Sequence, residues 1–151
     1  MSGTVSCPPA GSRGIDQILA SARARLDRPT PEEAHLAHRD GGTILIDTRP
    51  VSQREATGTI PGAIVIDRNV LEWRLDPRSD HRIPIVDGYD LHLIVFCQQG
   101  YASSLAAATL RDIGLHRATD LDGGFVAWLA AGLPVLGPTA PSALNLTSSP
   151  H

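Results

Sequence analysis

One cysteine of this sequence stands where its thiol could act as a nucleophile. Cys97 follows the largely apolar residues 91–96 and precedes a Gln-Gln-Gly turn and the helix-forming residues 103–113. The thiol is therefore expected at the carboxyl end of a strand, on a short loop that leads to a helix N-terminus. Free backbone N–H groups and the helix dipole favour an anion there, so we expect this thiol to ionise more readily than an ordinary one, whose pKa is about 8.5.

The residues after Cys97 form the predicted binding loop. Gly100 tolerates the positive φ that a curling loop needs, and Ser103 could cap the helix or donate to a bound anion. Backbone N–H groups along the loop would hold an oxyanion or a negatively charged terminal sulfur. The predicted catalytic residue is Cys97, and the predicted substrate-binding residues are Gln98, Gln99, Gly100, Tyr101, Ala102 and Ser103. The alternative is that Cys97 is a buried, inert residue that continues the strand.

Two Asp-Arg combinations follow predicted strands and could be catalytic or structural. They are Asp47 with Arg49, and Asp67 with Arg68. A charged pair beside an apolar strand usually has a structural partner, so we interpret both combinations as scaffold.

Two histidines and a second cysteine are interpreted without a catalytic role. His35 and His38 have the i, i+3 spacing that places two imidazoles on one helix face. No further ligand is near in sequence, so we interpret them as part of a solvated helix face and predict no metal site. Cys7 lies beside two prolines in a polar segment and has no anion-binding loop, so we interpret it as incidental.

Near the end of the predicted fold, glycines precede an apolar helix. Residues 123–124 are both Gly and allow a close backbone approach before that helix. Phe125, Leu129 and Leu133 recur at helical spacing and predict a core face. Trp128 could wall the site or pack in the core, and we predict the core.

Short apolar runs alternate with helical patterns along the chain. The strand predictions are nearly continuous in hydrophobicity, which is typical of parallel strands that are covered on both faces. An open α/β sheet follows, whose ligands bind beyond the carboxyl ends of the strands. The predicted strands are residues 43–47, 63–67, 91–96 and 118–121, and the predicted helices are residues 14–27, a helix capped by Thr30 and stopped at 41–42, and residues 69–75, 103–113 and 125–131.

Length and composition allow one domain. The chain has 151 residues, of which 42% are hydrophobic and 19% charged, so it can bury a core. We predict a single domain at residues 14–136, with an N-terminal helical appendage, between flexible tails at residues 1–13 and 137–151, which are small and polar in composition.

Charge and residue usage exclude several functions. The net charge is −3, which is unsuited to a nucleic-acid partner. All 13 cationic residues are Arg, so lysine Schiff-base chemistry and the P-loop lysine are excluded. No apolar run approaches the roughly 20 residues of a membrane span, and the two cysteines form no disulfide framework. We therefore expect no membrane partner and a reduced, cytoplasmic setting.

From about residue 30 to residue 135 the sequence resembles the rhodanese-like sulfurtransferase domains. The resemblance runs through LIDTRP, IPGAIVID, the Cys97 loop and DLDGGFVAWLAAGLPV, in that order. It implies an open, mainly parallel five-stranded α/β sheet with helices on both faces. It also implies that Cys97 takes a sulfane sulfur from a donor, becomes a persulfide and passes the sulfur to a nucleophilic acceptor. The implied partners are small sulfur donors with thiol acceptors, or a sulfur-accepting protein, and no metal or organic cofactor is implied.

The sequence departs from the family pattern in its charges. Many members carry Arg at the position of Ala102, and Thr59 stands where His is common. An uncharged loop disfavours small anionic donors such as thiosulfate. Two rivals therefore stay open: a non-catalytic binding or redox-sensing module, and a cysteine phosphatase or arsenate reductase. The phosphatase pattern needs an Arg where this chain has Ser103.

Overall fold

A computed structural model describes residues 6–137, which form a parallel sheet with helices on both faces. The strands are β1 (Thr43–Asp47), β2 (Ile64–Val65), β3 (His92–Phe96) and β4 (Thr119–Asp120), in the order β2-β1-β3-β4. All three neighbouring pairs are parallel, as the nearly continuous apolar runs predict. Most of the tails predicted as flexible, residues 1–5 and 138–151, lie outside the described residues.

The sheet has four strands within residues 6–137, so the five strands implied by the resemblance are a wrong expectation there. Outside the sheet, Thr59 and Leu136 form an isolated antiparallel bridge, with N···O distances of 2.7 and 2.8 Å. Strands β2 and β4 are also shorter than predicted. Asp67 starts a 3₁₀ turn soon after the first, and a turn at residues 122–123 follows the second.

Six α-helices accompany the sheet. They are α1 (Ile15–Arg23), α2 (Pro31–Arg39), α3 (Val51–Thr57), α4 (Leu71–Leu75), α5 (Ala102–Ile113) and α6 (Gly124–Ala130), with a 3₁₀ turn at Arg68–Val70. The capping box that starts α2 is present, because Thr30 accepts from the Glu33 N–H and Glu33 accepts from the Thr30 N–H. Sequence reasoning missed α3. None of its residues is buried, so it shows no apolar face.

The core has two halves, one on each face of the sheet. Side chains of β3 alternate between them: Leu93 and Val95 join α4 and α5, while Ile94 and Phe96 join α2 and α6. Both faces are thus covered, which explains why the strand sequence is apolar throughout. In the part of the chain that the structure describes, no helix is long and apolar enough to cross a membrane.

Candidate active site

Cys97 lies directly after β3, half-buried, with three groups around its sulfur. The backbone N–H of Gly100 donates to Sγ at 3.2 Å and that of Ser103 at 3.4 Å. The thiol itself donates to the Ser103 hydroxyl at 3.3 Å. Two N–H groups aimed at one sulfur stabilise negative charge on it, which is the arrangement that the loop sequence predicts.

The loop keeps this shape because its carbonyl groups turn outward to α6. Phe125 N–H donates to the Cys97 carbonyl, and Val126 N–H donates to the Gln98 carbonyl, both at 2.9 Å. Gly124 permits that approach: a Cβ there would lie 2.6 Å from the Cys97 carbonyl oxygen. Gly100 has a φ of 87°, the left-handed value predicted for it. The close approach predicted at residues 123–124 is therefore confirmed.

Ser103 does not cap α5. The helix begins at Ala102, and its N-cap residue, Tyr101, makes no capping hydrogen bond through its side chain. The Ser103 hydroxyl is fully buried and donates to Asp120 Oδ2 at 2.8 Å, so its hydrogen does not face the pocket. Sequence reasoning proposed Ser103 as a helix cap or anion donor because it could not see the carboxylate beneath the helix.

Asp120 is the buried carboxylate that sequence reasoning missed. It lies in β4 with 0% exposure and accepts hydrogen bonds from Ser103, Ser104 and Arg28. The available signal was an acidic residue inside an apolar strand run, which needs a partner for burial. Its partners lie far away in sequence, so the run alone could not identify them.

Two arginines from the N-terminal appendage hydrogen-bond to the backbone of the Cys97 loop. Arg23 donates to the Gly100 carbonyl at 2.7 Å and to the Ser104 hydroxyl at 3.1 Å, and it lies 5.5 Å from the centre of the Tyr101 ring. Arg28 also donates to the Gly100 carbonyl, at 3.2 Å. The loop itself is uncharged, but cations outside it bind its backbone.

Asp47 and Arg49 form a buried ion pair beside the loop, in agreement with the scaffold interpretation. Arg49 makes two contacts with the Asp47 carboxylate, at 3.0 and 2.8 Å, and donates to the Gly58 carbonyl at 2.7 Å. Its guanidinium also lies 4.0 Å from the centre of the Phe125 ring and donates to Gln98 Oε1 at 3.1 Å.

A pocket of about 320 Å³ opens in front of Cys97. Four of the six predicted substrate-binding residues line it: Gln98, Gln99, Tyr101 and Ala102. The other two, Gly100 and Ser103, are buried and direct their N–H groups to the sulfur instead.

The far wall of the pocket comes from residues 48–50, Gln53 and Arg68. Arg68 is bound to Glu72 at 2.9 Å, and its side chain is 37% exposed. Asp67 accepts from the Asn69 N–H and so begins the 3₁₀ turn. Asp67 is thus structural, as interpreted, whereas Arg68 adds a partly paired cation to the pocket.

The structure confirms the prediction for Trp128 and corrects those for Leu129 and for two histidines of α2. Trp128 is fully buried, as predicted, whereas Leu129 is 39% exposed, because it lies on the outer face of α6. His35 and His38 are half-buried instead of solvated: the first packs on the Trp128 ring and the second hydrogen-bonds to the Thr43 carbonyl. Among residues 6–137 there is no cluster of three or more potential metal ligands.

Comparison with known proteins gives a consistent family. The family model of the rhodanese-like domain matches residues 30–131. A thiosulfate sulfurtransferase GlpE of Stutzerimonas stutzeri is 35% identical over 104 residues, which cover 67% of this chain and 83% of that protein. A sulfurtransferase of Allochromatium vinosum is 30% identical over 95 residues, which cover 63% of this chain and 79% of that protein.

A similar solved structure comes from Rhodopseudomonas palustris. That protein of unknown function, described as a possible tyrosine phosphatase, is 32% identical with a TM-score of 0.76, and the match covers 87% of this chain and 100% of that chain. The family match spans more than half of the chain and includes β1 to α6. With this fold and these matches, the chain belongs to the family of rhodanese-like domains.

Proposed function

We propose that this chain is a sulfurtransferase that carries a sulfane sulfur as a persulfide on Cys97. The observation that supports it best is the convergence of the Gly100 and Ser103 N–H groups on Sγ at the floor of an open-mouthed pocket. These donors are held by the fold before any substrate binds, so they stabilise a charged sulfur without reorganisation. The names of the two sulfurtransferase relatives agree with this activity.

The reaction has two displacements at sulfur. The Cys97 thiolate forms a bond to the outer sulfur of the donor, and the donor's own bond to that sulfur breaks, with its electron pair leaving on the remainder of the donor. The acceptor, a thiolate or cyanide, then attacks the outer sulfur of the persulfide. The bond to Cys97 breaks, and its electron pair returns to the Cys97 sulfur.

The charges around the pocket favour a persulfide or polysulfide donor over thiosulfate. No charged side chain comes from residues 97–103. Arg49 already neutralises buried Asp47, and Arg68 is paired with Glu72. A sulfonate group therefore finds only the partly paired guanidinium of Arg68 among the lining residues, whereas a sulfur chain needs only the N–H groups and an apolar wall. The acceptor is a small thiol or a sulfur-accepting protein, and a free Cys97 fits a reducing compartment such as the cytoplasm.

Intact mass spectrometry tests the persulfide directly. The protein is incubated separately with inorganic polysulfide and with thiosulfate, and then with a reductant. We expect one added sulfur that the reductant removes, formed faster with polysulfide. Cys97→Ser abolishes the adduct, and Cys7→Ser, which removes the exposed cysteine outside the site, is the matched control that retains it. If neither donor adds sulfur to Cys97, the binding or redox-sensing alternative is favoured.

A phosphatase is the second candidate because the Rhodopseudomonas palustris protein is described in those words. Cysteine phosphatases hold phosphate with an Arg six positions after the cysteine, and Ser103 stands there in this chain, bound to Asp120. We therefore expect no phosphate release from a generic aryl phosphate ester. Release that disappears in Cys97→Ser would replace the sulfurtransferase proposal.

A further inference from the structure

Asp120 is a buried carboxylate that takes no part in the two displacements at sulfur. One of its oxygens, Oδ2, accepts from the Ser103 and Ser104 hydroxyls, each at 2.8 Å. The other, Oδ1, accepts from Arg28 Nε at 3.0 Å, and Arg28 Nη2 also donates to Oδ2 at 3.4 Å. Asp120 does not touch the pocket, and only the Ser103 side chain lies between it and Cys97.

The direction of these hydrogen bonds is fixed by a count of hydrogens. A serine hydroxyl has one hydrogen, and in Ser103 it is donated to Asp120. The Ser103 oxygen therefore turns a lone pair to the sulfur and accepts the Cys97 S–H at 3.3 Å. A thiol, a hydroxyl and a carboxylate thus stand in line, each donating to the next.

We propose that Asp120 receives, through Ser103, the proton that Cys97 loses when it becomes a nucleophile. The inference rests on the proposed sulfur transfer. The Cys97 S–H bond breaks and that proton binds Ser103 Oγ, while the former Ser103 hydroxyl proton binds Asp120 Oδ2. The products are a thiolate, an intact serine hydroxyl and a neutral carboxylic acid, so atoms and charge balance. Asp120 touches no substrate and is a positioning residue that acts through Ser103.

The transfer reverses the hydrogen bond between Ser103 and the Cys97 sulfur, so that Ser103 becomes the donor. Before it, Ser103 accepts from the thiol. After it, the hydroxyl hydrogen points at the thiolate and adds a third donor to the N–H groups of Gly100 and Ser103. The negative charge moves from Asp120 to the sulfur, and it returns by the same route when the acceptor releases Cys97.

The groups around Asp120 accommodate both of its states. Arg28 also donates to Asp122 at 3.1 Å and to the Gly100 carbonyl at 3.2 Å, so it has other acceptors besides Asp120. Ser104 continues to donate to Asp120, and Arg23 contacts Ser104 from the same side. The facing charged groups are therefore two cations, Arg23 and Arg28, and one further carboxylate, Asp122. No buried side-chain nitrogen or oxygen within residues 6–137 lacks a hydrogen bond at the start.

Alkylation of Cys97 by iodoacetamide tests the inference, with Cys7→Ser in every variant so that only one thiol reacts. Rates are measured from about pH 5 to about pH 9. With Asp120 as acceptor, the thiolate forms within the protein, so the parent protein should react faster than a variant without this carboxylate at acidic pH. Asp120→Asn takes no proton, so we expect at least about a tenfold loss at pH near 6 and a rate that then rises with each pH unit.

The opposite sign overturns the proposal. If Asp120 is only a nearby negative charge, its removal makes the thiolate easier to form, and alkylation by Asp120→Asn becomes faster or stays equal. Ser103→Ala interrupts the line while leaving Asp120 bound to Arg28 and Ser104, so it tests the same transfer if Asp120→Asn fails to fold. We expect the double variant, with both Asp120→Asn and Ser103→Ala, to be alkylated no more slowly than the slower of the two single variants, because both substitutions interrupt the same proton path.

Ser104→Ala is the matched control. It removes a hydroxyl at the same distance from the same carboxylate oxygen but makes no contact with the sulfur, so its pH profile should keep the parent shape. Alkylation needs no sulfur donor, so the two proposals fail separately. Parent protein that gains no persulfide, yet shows the predicted profiles, refutes sulfur transfer alone. Persulfide formation with an unchanged profile in Ser103→Ala refutes the proton path alone.

Discussion

The carboxyl ends of β1 and β3 lie side by side at one sheet edge, since Asp47 pairs with Phe96 in the register. After β1, the charged groups of Asp47 and Arg49 bind each other and the surrounding chain, with side-chain exposures of 1% and 0%. After β3, Cys97 stays half-buried at a pocket, and the backbone donates to its sulfur. The end of β1 stabilises the fold, whereas the end of β3 leaves the Cys97 sulfur available for reaction.

The difference shows how a site without charged loop residues can stabilise an anion. The charged side chains position the loop: Arg23 and Arg28 donate to the Gly100 carbonyl, and Arg49 donates to Gln98. The reactive sulfur then faces neutral N–H dipoles. Such a site does not attract every small anion in the way an unpaired guanidinium would, which agrees with a preference for sulfur-chain donors.

Arg49→Ala gives the largest expected effect on the structural side of this comparison. It leaves the Asp47 carboxylate buried without its cation, so we expect the free energy of unfolding to fall by about 3–5 kcal/mol, measured by urea denaturation. Arg39→Ala is the matched control, because Arg39 and Asp40 form a pair at the surface with exposures of 62% and 68%. It should cost about 1 kcal/mol or less. Similar losses in the two variants would show that the buried pair has no special structural role.

Gly124→Ala gives the next largest effect and acts on the reactive side. The new Cβ would lie 2.6 Å from the Cys97 carbonyl oxygen and 2.7 Å from the Gly100 nitrogen, so the loop must move. A displacement near 1 Å at a reacting group can cost about 100-fold in rate, and we expect a loss of that order in persulfide formation, followed by mass spectrometry.

Gly132→Ala separates the clash from backbone strain. Gly132 has a φ of 74°, close to the 64° of Gly124, but a Cβ there meets no atom within 4 Å. Both variants carry the left-handed strain of roughly 1–2 kcal/mol, and only Gly124→Ala displaces the loop. Equal rates of persulfide formation in the two variants would contradict the role given to Gly124.

Local rules predicted the part of the site that depends on neighbours in sequence. The strand end at Cys97, the positive φ at Gly100 and the close approach at residues 123–124 all follow from residue type and position in a strand-loop-helix unit. The parallel sheet with two covered faces also follows from uninterrupted apolar strands.

Long-range pairing was beyond the sequence. Asp120 meets Ser103 from 17 residues away and Arg28 from 92 residues away, and no local pattern specifies either contact. The strand number differs in origin: the expected five strands came from the resemblance, whereas the four apolar runs of the sequence correspond to the four strands of the sheet.

Arg23→Ala tests whether the support behind the loop contributes to reactivity. The change removes hydrogen bonds to Gly100 and Ser104, while Arg28 still holds the Gly100 carbonyl. We expect a loss of about fivefold in the rate of persulfide formation, equivalent to roughly one hydrogen bond. Arg25→Ala, which removes a cation from the same segment but breaks only the surface pair with Asp112, should retain the rate. Equal rates in both variants would show that Arg23 does not position the loop.

The smallest effect is expected at the opposite end of β3, where His92 begins the strand that Cys97 follows. Burial, with a further contribution from the Arg117 cation, lowers the pKa of His92 from its usual 6.5, and Asp27 offsets part of this. The unfolded chain therefore binds a proton first as the pH falls. The contribution of neutral His92 to the stability of the fold is fully present above pH 6.5 and is lost as the pH falls through the lowered pKa of the folded state.

Urea denaturation between about pH 7.5 and about pH 5 should show this decline in stability, and His92→Asn should reduce it. His81→Asn, at an exposed position, should leave the decline in place. If the stability of His92→Asn falls with pH as much as that of the parent protein, another group causes the pH dependence. If the rate of persulfide formation falls in parallel with stability, the two ends of the strand are coupled.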